Sequence, residues 1–180
     1  MKILFLGDSL IEYFDWKRRF PDHQAENLGV AGESVQGLLS RVVKILSAHS
    51  DVELIFIMTG INNLAMGDME FFNFYRVILE KLSFVYLRAH IYVQSLLPAL
   101  VEFISDESII DANSELKKLS QEMDVHYLDV YKKFIDTSGR PIKEYLLDDG
   151  VHVSRAGYDV WAGVVEEVIN SESQKPHNKK

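Results

Sequence analysis

The sequence predicts an α/β protein built on a single parallel sheet of five strands, with helices on both faces. Two observations predict it. Short apolar runs alternate with longer amphipathic segments along the whole chain, which is the pattern of strand–helix–strand crossovers. Polar, glycine-containing turns follow the apolar runs, where doubly wound sheets place their ligand sites.

Taken in order, Ile3–Leu6 reads as a buried strand, followed by a turn at Gly7-Asp8-Ser9 and a helix start. Asn27–Val30 reads as a second, short strand. From Ser34 to Ala48, Val35, Leu38, Leu39, Val42, Val43, Ile45 and Leu46 recur at helical spacing. Leu54–Met58 is apolar throughout, as a strand buried on both faces is. A helix is expected over about 69–87, a strand over His90–Gln94, a helix over 105–123 and a fifth strand over Val125–Leu128. The final helix starts after Ser154, a good N-cap residue, and is expected to run to about Asn170. A single domain over 1–170 and a polar, fraying tail over 171–180 complete the reading.

Composition narrows the function classes. With 180 residues and 47% hydrophobic residues the chain fills one core. It has no cysteine, which excludes a disulfide framework, a thiolate metal site and a cysteine nucleophile. The net charge is −8; the last ten residues carry three lysines and one glutamate, so the body from 1 to 170 carries −10. Nucleic acid and anionic membrane surfaces are poor partners for such a body. No apolar stretch is long enough to span a bilayer, and the N-terminal run is too short for a signal peptide. The expected location is therefore cytoplasmic.

Four polar clusters converge on one edge of such a sheet: Gly7-Asp8-Ser9, Gly29–Gly32, Gly60–Asn63 and Asp148–His152. Ser9 stands at a strand-to-helix turn, where it reads either as a helix cap or as a nucleophile awaiting a base. His152 is the best base among six histidines, because Asp149 lies three residues before it. A carboxylate there fixes the imidazole tautomer and stabilises the imidazolium. His23, His49, His90, His126 and His177 lack such a setting and read as structural or solvated. Gly32, through its backbone N–H, and Asn62, through its amide, are candidate oxyanion donors; each alone reads equally as part of a turn.

In four ordered blocks the sequence resembles the SGNH, or GDSL, hydrolases. Gly7-Asp8-Ser9-Leu10 resembles the first block, with Ser9 in the nucleophile position. Asn27–Gly32 resembles the second and Gly60-Ile61-Asn62-Asn63 the third. Asp149-Gly150-Val151-His152 resembles the last, and Ser154 and Gly157-Tyr158 also fit. The resemblance implies a flavodoxin-like three-layer α/β/α sandwich and an ester hydrolase working through an acyl-enzyme. The implied triad is Ser9, His152 and Asp149, and the implied oxyanion hole is the N–H groups of Ser9 and Gly32 with the Asn62 amide. It implies no metal and no cofactor, and a small-molecule ester as partner. One position departs: the family usually has aspartate after the asparagine of the third block, and Asn63 stands there, which bears on how Asn62 is braced.

Two other readings compete with this one. An α/β-hydrolase needs a Gly-x-Ser-x-Gly elbow, which is absent. A catalytically degenerate, ligand-binding module on the same fold stays open, since a fold does not fix a function. Phe14, Trp16 and the segment Leu96–Ile104 are candidates either for the acyl pocket or for ordinary packing. Exposed aromatics around 71–75 read either as core or as part of a homo-oligomer contact.

Overall fold

The computed structural model describes residues 1–174. Its sheet contains β1 (Lys2–Gly7), β2 (Gln24–Gly29), β3 (Leu54–Met58), β4 (His90–Gln94) and β5 (His126–Leu128). All neighbours pair in parallel, in the order β2-β1-β3-β4-β5. The chain starts at β1, steps outward to β2, then returns across β1 to build β3, β4 and β5. The switch point therefore lies between the carboxyl ends of β1 and β3, and the crevice there is where open α/β sheets bind ligands.

Helices cover both faces and complete three layers. The short helices α1 (Ser9–Glu12) and α2 (Trp16–Arg19) share one face with the long α7 (Arg155–Gln174). Trp16 meets Trp161 edge-on at 5.3 Å, and Tyr158 Oη donates to the Leu10 carbonyl at 2.9 Å. On the other face α3 (Val35–Ala48), α5 (Phe72–Val85) and α6 (Asp106–Glu122) pack side by side. A third short helix, α4 (Ile61–Ala65), follows β3. The α3 and α6 helices are started by Ser34 and Ser105, whose side chains accept from the N–H groups of Gly37 and Ser108. Ser154 does the same for α7 by accepting from Gly157 N–H at 3.1 Å.

Strand register aligns aromatic rings across the sheet on the α2/α7 face. Phe5, Phe56 and Tyr92 are register partners in turn, with ring centroids 5.3 Å apart at each step. The row ends on His126 of the edge strand, stacked 4.6 Å from Tyr92. Each such contact adds about 0.5–1.5 kcal/mol beyond the burial of area. Trp16 extends the row outward, stacking on Phe5 at 4.1 Å and donating from its indole to the Ile11 carbonyl. Trp16 is thus fully buried core and not a pocket wall. Phe71 and Tyr75 are core as well, whereas Phe74 is exposed.

The second strand runs over Gln24–Gly29 where Asn27–Val30 is expected, and the C-terminal boundary differs for a physical reason. The last helix continues to Gln174, because Val165, Ile169 and Glu172 carry its buried stripe onward at helical spacing. The expected tail from 171 is therefore helical through 174, and its remainder, residues 175–180, lies outside the described residues. Among the described residues, no helix is long and apolar enough to cross a membrane.

Candidate active site

The nucleophile candidate owes its position to two neighbours. Gly7 ends β1 so close to β3 that a Cβ there would sit 2.0 Å from the Met58 carbonyl oxygen. Only glycine lets β1 turn into α1 at that point. Asp8 then caps α1 by accepting from Leu10 N–H at 3.0 Å, which leaves Ser9 as the first helical residue and not the cap. The Ser9 N–H belongs to a helical first turn, whose N–H groups find no acceptor within the helix.

His152 and Asp149 arrive on a tight loop between Leu146 and Val153, which bridge one another. The Leu147 N–H closes the loop by donating to the His152 carbonyl at 2.7 Å. Asp149 Oδ1 accepts from the N–H groups of Val151 and His152, both at 2.9 Å, and Oδ2 accepts from His152 Nδ1 at 2.7 Å. His152 Nε2 lies 3.0 Å from Ser9 Oγ. Desolvation pushes the Asp149 carboxyl up, but those backbone donors, the imidazole hydrogen bond and the imidazole charge outweigh it and set the pKa at about 2. Asp149 is therefore an acceptor only, so Nδ1 carries the imidazole proton and Nε2 faces the serine hydroxyl as acceptor. A base aimed at a serine in this way activates it for attack.

Asp8 is the converse case. It is buried, its Oδ2 has no hydrogen-bond partner among the described residues, and burial raises its pKa to about 7. The sequence places Asp8 in the first polar cluster but gives it no role of its own, since its burial comes from the tertiary fold.

Gly32 sits in the turn after β2 and Asn62 in the first turn of α4; among the described residues neither makes a direct hydrogen bond to Ser9. A Cβ at Gly32 would meet nothing within 4 Å, so the requirement there is conformational: its φ is +75°. The loop before it is held against α1, with Val30 N–H donating to the Gly7 carbonyl at 2.9 Å and Ala31 N–H to Glu12 Oε2 at 2.7 Å. Asn27 clasps the turn after Ser9, its amide reaching the carbonyls of Ile11, Glu12 and Phe14. Arg41 pairs with Glu33 at 2.6 Å and donates to the Leu28 carbonyl at 2.7 Å. The Glu33 carbonyl in turn accepts from the Asn62 amide at 3.0 Å. One amide hydrogen of Asn62 is thereby used and the other remains for a ligand.

Asn63 explains its own departure from the family pattern. It is fully buried, accepts from Val35 N–H at 2.9 Å, and donates to Gln36 Oε1 at 2.8 Å and Asp68 Oδ2 at 2.7 Å. An aspartate at 63 would face the Asp68 carboxylate directly. Asn63 and Asp68 are a complementary pair, and through Val35 and Gln36 they tie α4 to the start of α3. Glu12, Arg41 and Asp68 escaped sequence reading because they act through loop contacts with no spacing signature.

Exposed side chains with apolar surface lie on segments next to the His152 loop. The Tyr13 ring lies 5.3 Å from that of His152, and Tyr13, Leu100 and Leu147 are exposed. Leu100 N–H donates to the Gly150 carbonyl at 2.7 Å, which locks the segment after β4 onto the His152 loop.

A three-layer parallel fold with a Ser–His–Asp relay at its carboxyl rim has the layout of an SGNH-type hydrolase. Residues 5–160 match the GDSL-like Lipase/Acylhydrolase family, and the chain belongs to that family. Platelet-activating factor acetylhydrolase IB subunit alpha1 of Rattus norvegicus is 24% identical over 166 residues, covering 87% of this chain and 70% of the relative. The structure of a Streptococcus pneumonia protein described as a platelet activating factor superposes with a TM-score of 0.84 at 28% identity, over 93% of this chain and 83% of that one. A family 3 carbohydrate esterase of Clostridium thermocellum has the same fold, with a TM-score of 0.78 at 16% identity over 96% and 97% of the two chains.

Proposed function

We propose that this member of the hydrolase family is a serine-dependent carboxylic ester hydrolase that cleaves small esters, acetyl or short acyl, through an acyl-enzyme. The observation that carries the reading is the unbroken relay from Ser9 Oγ through His152 to Asp149, at 3.0 and 2.7 Å. In this mechanism Ser9 Oγ attacks the ester carbonyl carbon as its proton passes to His152 Nε2. Asp149 stabilises the imidazolium that results. The N–H groups of Ser9 and Gly32 and the second amide hydrogen of Asn62 hold the oxyanion. His152 then returns the proton to the departing alcohol. Water repeats the sequence on the acyl-enzyme and releases the acid. Every proton and electron pair in that cycle is carried by the chain, the ester and water.

The exposed apolar surface of Tyr13, Leu100 and Leu147 favours contact with an acyl or other apolar part of the substrate. The name of the rat relative, an acetylhydrolase, supports a short acyl group. A fluorophosphonate probe tests the nucleophile: mass spectrometry should find it on Ser9 of the wild type and nowhere on Ser9→Ala. Wild-type protein that stays unlabelled would support a degenerate binding module instead.

A further inference from the structure

At the opposite end of the sheet from Ser9, three side chains with metal-ligand chemistry meet. His90 begins β4, His126 begins β5, and Glu172 lies in the last turn of α7. Their meeting follows from the topology. Tyr92 and His126 are register partners, and His90 lies two residues before Tyr92, on the same face of its strand. That face is the one α7 covers, and Tyr92 Oη donates to Glu172 Oε1. His90 Nδ1 is 3.3 Å from His126 Nε2, and His90 Nε2 is 3.7 Å from Glu172 Oε2. One ligand atom from each residue can be chosen so that all lie within 4.8 Å of one another.

We propose that His90, His126 and Glu172 form a binding site for a divalent transition-metal ion of the zinc type. Two imidazoles and a carboxylate are a ligand set that zinc uses, with a fourth, tetrahedral position left to water. Calcium and magnesium prefer all-oxygen sites, which this is not. Metal–nitrogen bonds of about 2.0–2.1 Å at the tetrahedral angle separate two ligand nitrogens by about 3.3 Å. The separation of His90 Nδ1 and His126 Nε2 already has that value. His90 turns Nδ1 toward His126 and Nε2 toward Glu172, so an ion shared by all three requires its half-exposed ring to reorient and present one nitrogen to both.

The surroundings fit an ion as well. The Glu172 side chain is only 5% exposed, and a buried carboxylate is held by partners or by a cation. Tyr92 is positioned as an outer partner of both other groups: it donates to the second oxygen of Glu172 and stacks on His126 with an interplanar angle of 19°. Such outer contacts fix the orientation of metal ligands. An ion here would clasp the end of α7 to the first residues of β4 and β5. It would stabilise the fold far from the reacting serine and take no part in ester cleavage. The competing reading is that the two imidazoles and the carboxylate only hydrogen-bond one another.

The test is calorimetric titration of the full chain with Zn2+, repeated with Co2+ to read its visible bands, with thermal unfolding followed in parallel. The expected result is one saturable equivalent that raises Tm. His90→Gln and His126→Gln should each weaken it on the order of 100-fold, and Tyr92→Phe on the order of 10-fold. Both histidines are exposed, and the metal-free Tm and circular dichroism of the variants report whether their fold is retained. His152→Ala should leave the binding unchanged. Absence of saturable binding would overturn the proposal, as would binding unaltered in the double His90→Gln/His126→Gln variant. Binding lost in His152→Ala alone would place the ion at the serine relay and overturn it too.

Discussion

The two rims of the sheet each bring histidine to carboxylate, but by different routes. At the carboxyl rim, Asp149 and His152 lie three residues apart in one loop, and the loop's own N–H groups bind the carboxylate. At the amino rim, His90, His126 and Glu172 come from two strands and a helix and meet through strand register. The first arrangement is local and leaves a mark in the sequence. The second exists only once the sheet is folded. The same contrast separates two acids of the carboxyl rim. Asp149 has three hydrogen-bond donors and a pKa of about 2, whereas the buried Asp8 has one carboxyl oxygen without a partner and a pKa of about 7.

If the carboxyl rim does the chemistry, changes there should cost rate and leave Tm nearly unchanged. Asp149→Asn should lower kcat about 10,000-fold, because the amide no longer fixes the tautomer that aims Nε2 at Ser9. Asn62→Ala should cost about 100- to 1,000-fold, the usual loss for one oxyanion donor. Steady-state kinetics beside thermal melts of the same samples checks both. Equal losses of rate and stability would break the distinction.

Asn63→Asp should act the other way, through stability first. It places a second carboxylate against Asp68 at a fully buried position, and unfolding in urea should show a loss of about 1–3 kcal/mol. Adding Asp68→Asn should restore most of it. No recovery in the double variant would mean that the Asn63–Asp68 contact is not what holds the loops.

A further effect is a pH dependence. The folded pKa of Asp8 is raised above its ordinary value of 3.8, so its protonated form favours the fold. That contribution is fully present below pH 4 and is lost as pH rises through about 7. Asp8→Asn keeps an acceptor for Leu10 N–H and removes the titration. Its stability relative to wild type should therefore grow between pH 4 and pH 8, by on the order of a few kcal/mol. A constant difference across that range would show that Asp8 is not held protonated.

These contrasts also explain what was legible in the sequence. The continuous apolar runs at Ile3–Leu6 and Leu54–Met58 could only be central strands, and they fixed the parallel sheet. Ser9, Gly32, Asn62, Asp149 and His152 were visible because each stands in a short block in a fixed order. Trp16 reads either as pocket lining or as packing, and packing is the outcome; nothing local reveals its stacking on Phe5 of β1. The end of α7 was set too early because Ser171–Gln174 reads as polar, although Glu172 is buried against Tyr92. His90 and His126, read as structural or solvated, lie 36 residues apart and share no motif.

The most direct test of the central claim is hydrolysis of p-nitrophenyl acetate and its longer-chain homologues by wild type and Ser9→Ala. Turnover by the wild type is expected, fastest on the short acyl chains, with a loss of about 10,000-fold or more in the variant. Equal rates for the two proteins on every ester would contradict it.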